Sequence, residues 1–120
     1  MGRDLLLVGA GGFIGAALRY GLSLSLARFA FPMGTLLVNV IGSFALGWLY
    51  AKAGQGEVDG STRHFLGVGL LGAFTTFSTF SVETLALVEE GALGRAAISV
   101  ILNVGLGLGA AALGLVLGTR

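Results

Sequence analysis

"LLLVGAGGFIGAALRY", residues 5–20, admits two readings, and the choice between them decides the fold. An apolar run leading into Gly9, Gly12 and Gly15 looks like the phosphate-binding turn of a dinucleotide enzyme. That turn needs a strand before it, a helix after it and an acidic residue about 20 positions on to hold the ribose. Counted from Gly9, the acid falls near Phe29, and the nearest downstream acid is Glu57. A chain of 120 residues also has no room for the rest of a doubly wound sheet. The alternative is a membrane helix. There Gly11 and Gly15, with Gly12 beside them, form a small-xxx-small face on which another helix packs closely.

Composition supports the second reading. The chain is 55% hydrophobic and 11% charged, with 22 glycines and a mean hydropathy of +0.94. Soluble domains carry roughly 25% charged residues, and one this short leaves about a third of its surface in water. So much apolar surface needs lipid. There is no cysteine, hence no disulfide or thiolate site, and the single histidine rules out a multi-histidine metal site within one chain. A net charge of +1 with no basic run predicts no nucleic-acid partner. The first apolar stretch is longer than a signal core and holds Arg19, so it is expected to stay in the mature protein.

A bilayer core of about 30 Å needs roughly 20 helical residues. Charges and turn formers divide the chain into four such spans, at about 4–28, 34–52, 64–88 and 95–117, within a single domain covering 1–120. Pro32 closes the first connection, because a proline disfavours helix in the residue before it. "AGQGEVDGSTR" is the one clearly polar loop. The side holding both termini and that loop carries Arg3, Lys52, Arg63 and Arg120, whereas the other carries Arg28 and Arg95. This bias is weak, and it is compatible with insertion in both orientations.

The polar residues inside the spans carry the functional information. In "GAFTTFSTFSVET", residues 72–84, five of the seven positions from Thr75 to Ser81 bear hydroxyls, and the other two are Phe77 and Phe80. Such hydroxyls compete for backbone groups and weaken helix, which predicts a break in the third helix at mid-membrane. Non-helical backbone survives there only inside protein or beside a water-filled cavity. Thr35, Asn39 and Ser43 recur every four residues on the second span, and Ser99, Asn103 and Gly107 repeat the device on the fourth. Either asparagine alone could be a simple interhelical bond; the two stripes and the hydroxyl run together predict a polar track. Arg19 is an ionisable residue well inside the first span, and either it snorkels to an interface or it is functional. Glu83 follows the predicted break and could carry a proton, bind a cation or mark a pore mouth. Hydroxyls, amides and the positive edges of aromatic rings suit a small anion, and carbonyls freed by a broken helix suit a cation.

Three stretches, "GGFIGAALRY" at 11–20, "GTLLVNVIGSFALG" at 34–47 and "GAFTTFSTFSVE" at 72–83, resemble the small fluoride channels of the CrcB/Fluc family. The resemblance covers nearly the whole chain. It implies an all-α membrane protein that works as an antiparallel, dual-topology homodimer with two pores, in the bacterial inner membrane. By the same resemblance Phe77 and Phe80 turn ring edges to fluoride, Asn39 donates to it, and Thr79 and Ser81 belong to the same ion path. Backbone carbonyls of Gly72 and Thr75 from both subunits would hold a structural Na+, with no organic cofactor. Arg19 matches a vestibule arginine, and Glu83 a glutamate near one end of the track. Family members often place Tyr and Ser along the fourth helix. Here Asn103 keeps a donor and Gly107 offers none from a side chain. The implied activity is passive fluoride export, without catalysis. Two rivals remain: a proton-coupled multidrug transporter, which would need an acid inside the first span where only Asp4 stands at its edge, and an assembly subunit without transport.

Overall fold

A computed structural model describes all residues, Met1–Arg120, and contains helices and turns but no strand. The order is α1 (Gly2–Ser25), α2 (Met33–Gly54), a single turn α3 (Gly60–Thr62), a π-helix π1 (Arg63–Leu71), the short α4 (Gly72–Phe74), α5 (Phe77–Glu89) and α6 (Leu93–Gly118). Four stretches are long and apolar enough to cross a membrane: Gly2–Ser25, Met33–Gly54, Gly60–Glu89 and Leu93–Gly118.

The ends of these stretches follow from local chemistry. After α2, Gly56 takes φ 76°, and Gly56 N and Glu57 N donate back to the Ala53 and Lys52 carbonyls. After α5, Gly91 takes φ 80°, and Gly91 N and Ala92 N donate to Val88 and Leu87. Both are Schellman closures, in which a left-handed glycine lets the chain satisfy the last helical carbonyls. α3 starts at Asp59, whose carboxylate accepts from Thr62 N at 2.8 Å. Bonds from Thr62, first its side chain and then its backbone, hold that carboxyl below its ordinary range.

Close approach of backbones holds the bundle together. A Cβ built on Gly11 would overlap the Phe65 carbonyl oxygen, and one on Gly15 would overlap the Leu70 carbonyl. Gly11 and Gly15 of the opening stretch are therefore the packing face of α1 against π1. Gly114 does the same for α6 against α2, lying on the Phe44 carbonyl and Trp48 N. α5 in turn packs along α6. Only 20 of 120 residues are buried, and the buried apolar set is small, including Leu36, Val38, Phe80 and Leu87. Phe13, Leu18, Ile101, Leu108 and many other large apolar side chains are exposed. A surface of this kind is stable against lipid or another apolar face and unstable against water.

Candidate functional site

The site is built around two residues that leave the helix. Thr75 (φ −86°, ψ 159°) and Thr76 (φ −154°, ψ 120°) are extended, so the third stretch is interrupted between α4 and α5. Leaving the helix strands backbone groups on both sides, and the neighbouring side chains take them up. Thr75 N and Oγ1 both donate to the Leu71 carbonyl at 3.1 Å. Thr76 Oγ1 accepts from Thr79 N at 3.2 Å and so caps α5. Asn39 on α2 pairs with Thr76 much as a neighbouring strand would: Thr76 N donates to its Oδ1 at 2.8 Å, and its Nδ2 donates to the Thr76 carbonyl at 3.1 Å. Arg19 on α1 donates from Nε to the Ala73 carbonyl at 3.1 Å. A guanidinium at the carbonyl end of a helix is also favoured by the backbone dipoles.

From Asn39 the polar contacts run to α6 and back to α5. Asn39 Nδ2 donates to Asn103 Oδ1 at 2.9 Å, and Asn103 Nδ2 donates to the Ser99 carbonyl at 2.9 Å and to Ser99 Oγ at 3.4 Å. Ser99 Oγ lies 3.5 Å from Thr84 Oγ1, and Thr84 Oγ1 donates to the Phe80 carbonyl at 2.7 Å. Beside these contacts lies a cleft of about 380 Å³ lined by Asn39, Thr75, Thr76, Phe77, Phe80 and Asn103, among others. Phe77 and Phe80, one turn apart on α5, meet edge to face in its wall, with ring centroids 5.7 Å apart and planes at 63°. Phe80 is buried, whereas Phe77 is 78% exposed.

The structure thus brings Asn39, Phe77, Phe80, Asn103 and Thr75 to one cleft, whereas Thr79 is outside its lining and is tied to Thr76 through the cap on α5. Gly42 makes room for Thr75, since a Cβ there would overlap the Thr75 methyl. Ser81 turns back onto its own helix, donating to the Phe77 carbonyl at 3.0 Å. Glu83 is elsewhere: it lines a second cleft of about 310 Å³ with Ser23, Pro32, Thr35 and Glu90, and its Oε1 is buried without a partner. Gly72 is exposed beside the interruption. Two participants escape a reading of the sequence. Thr84 lies beyond the hydroxyl run, and the Ala73 carbonyl carries no side-chain signal at all.

The sequence matches the family described as "CrcB-like protein, Camphor Resistance (CrcB)" over residues 6–115. The chain belongs to the CrcB-like family. Among CrcB-like relatives, it is 56% identical over 100 residues to a protein of Idiomarina loihiensis named "Fluoride-specific ion channel FluC", covering 81% of this chain and 78% of that one. A protein of the same name from Shewanella piezotolerans is 48% identical over 106 residues, covering 86% of each chain. Another from Shewanella sp. strain ANA-3 is 50% identical over 107 residues, covering 87% of this chain and 86% of that one.

Proposed function

We propose that this chain is a fluoride-selective channel, through which fluoride leaves the bacterial cell passively across the inner membrane. It is a transport protein and not an enzyme, in keeping with relatives named as ion channels. The observation that carries the reading is the cleft itself. An edge-to-face Phe77–Phe80 pair stands beside a helix interruption braced by Asn39. Ring edges are the positive part of an aromatic quadrupole. Facing an anion, they replace hydration water without presenting an acceptor. Narrowness and closely placed donors together favour fluoride over the larger chloride. Arg19 supplies positive potential near the path, with Thr79, Ser81 and Glu83 marking its further course.

The working unit is an antiparallel homodimer with two pores. The support is an uncovered face on which Phe77 and Gly72 are exposed, near the middle of the Gly60–Glu89 stretch and so at mid-membrane depth. A structural Na+ fits the carbonyls of Gly72 and Thr75 contributed by both subunits. Thr76 N, the regular partner of the Gly72 carbonyl, is turned to Asn39, which leaves that oxygen free for a hard cation. Bound there, the ion would supply charge that holds the two interruptions together. Both residues bind it through the main chain.

The test is purified protein in liposomes loaded with fluoride or chloride, with efflux followed by ion-selective electrodes. Fluoride efflux far exceeding chloride efflux is expected. Equal rates would overturn selectivity, no flux would favour an assembly subunit, and proton-driven export of an organic cation would favour the transporter reading.

A further inference from the structure

The hydrogen bonds around Asn39 have a direction, and it can be derived without seeing a hydrogen. A backbone N–H only donates, so the Asn39 atom 2.8 Å from Thr76 N is its oxygen. Its amide nitrogen therefore faces the Thr76 carbonyl and Asn103. The Asn103 atom meeting that nitrogen must accept, so it is oxygen. The Asn103 nitrogen then faces the Ser99 carbonyl and hydroxyl. Because Thr84 gives its proton to the Phe80 carbonyl, the proton between Ser99 and Thr84 comes from Ser99. Turning either amide over would set donor against donor along the chain of bonds. Both N–H groups of Asn39 and both of Asn103 are consequently engaged within the protein.

The geometry points to Asn103 as a built-in competitor of the anion. Its Oδ1 holds an N–H of Asn39, and both residues line the cleft in which a small anion would need that donor. This rests on the fluoride reading above and deepens it by naming a residue that tunes affinity. An entering fluoride gains the Asn39 donor only when the Asn103 oxygen releases it. That oxygen then faces the anion with the negative end of its dipole and without its donor. The consequence is weaker binding and easier release, which a conducting site requires, since an ion held too tightly does not leave. The sign is opposite to that expected if Asn103 served the ion as a donor. Its own N–H groups are turned away, toward Ser99.

The test uses the full chain, reconstituted, with Asn103→Leu, which keeps the branched shape without its polar atoms, and Asn103→Ala, which removes the branch. Initial fluoride efflux is measured over a range of fluoride concentrations to separate the half-saturating concentration from the maximal rate. Both variants are expected to lower the half-saturating concentration about two- to tenfold, the equilibrium equivalent of one net hydrogen bond. The maximal rate is expected to fall or stay unchanged. A half-saturating concentration that rises or stays put overturns the competitor role, and so does failure of both variants to assemble, which would make Asn103 framework only. Wild-type liposomes that release no fluoride refute the channel reading itself; a conducting wild type with unshifted variants refutes only this inference.

Discussion

Replacing Asn39 by leucine removes the brace of the interruption while keeping the same branched shape. In the wild type the amide satisfies Thr76 N at 2.8 Å and the Thr76 carbonyl at 3.1 Å. It also satisfies Asn103 Oδ1 at 2.9 Å. Both groups of Thr76 are extended main chain with no helical partner, so the Asn39→Leu substitution would leave them bare. An unsatisfied buried donor or acceptor costs about 1–3 kcal/mol; because Thr76 is half-buried on the cleft, the two backbone groups together should cost about 1–3 kcal/mol. Asn103 Oδ1 adds a further increment. The measurement is unfolding in mixed micelles by titration with a denaturing detergent, followed by far-UV circular dichroism and by the fluorescence of Trp48, the single tryptophan. A double-mutant cycle with Asn103→Leu then isolates the Asn39–Asn103 bond, for which a coupling of about 0.5–1.5 kcal/mol is expected. If Asn39→Leu unfolds within about 0.5 kcal/mol of wild type, a difference typical of an indifferent surface position, the brace does not exist as described. The same variant is expected to lose fluoride efflux, because the extended pair can no longer hold its place beside the phenylalanines.

Phe80→Ile is expected to slow fluoride efflux from liposomes without preventing assembly; unchanged flux would remove Phe80 from the ion path. On α1, Gly15→Val forces a side chain into the Leu70 backbone and should cost at least about 1–3 kcal/mol in the micelle titration. Gly9→Ala meets nothing within 4 Å and should stabilise by about 0.5–1 kcal/mol; equal effects at the two positions would contradict the packing described. At the start of α3, the lowered carboxyl of Asp59 stabilises the fold above its ordinary value of 3.8, and that contribution is lost as pH falls through the lower folded value. Asp59→Asn should therefore flatten the acid limb of the unfolding curve, and an identical limb in both proteins would dismiss the cap.

Much of this architecture is legible in the residues because membrane helices are constrained by composition. Where charges and turn formers cannot enter lipid, they mark the ends of spans. Gly11 and Gly15 are readable as a packing face because only a missing side chain lets two backbones come so close. The hydroxyl run at 75–81 announces trouble for the helix, since its side chains compete for the same backbone groups. The π-helical stretch Arg63–Leu71 carries no comparable mark. It is the stretch against which α1 packs at Gly11 and Gly15. Arg19 shows the same limit, because a sequence can locate a charge inside a span but cannot name the carbonyl that receives it.

Local chemistry, then, already determined that this chain is apolar enough for lipid, divides into four helical stretches and weakens its own third stretch near Thr75. Those properties depend on hydropathy, spacing and side-chain type, all of which act within a few residues of one another. Tertiary structure alone decided that Thr76 is the residue braced, that Asn39 commits both its N–H groups, and that Asn103 turns its oxygen toward Asn39 and its nitrogen toward Ser99. Glu83, close in sequence to Phe80, was likewise sent to a different cleft. A hydrogen bond is directional, and its sense is set by partners from three helices that meet only when the chain has folded.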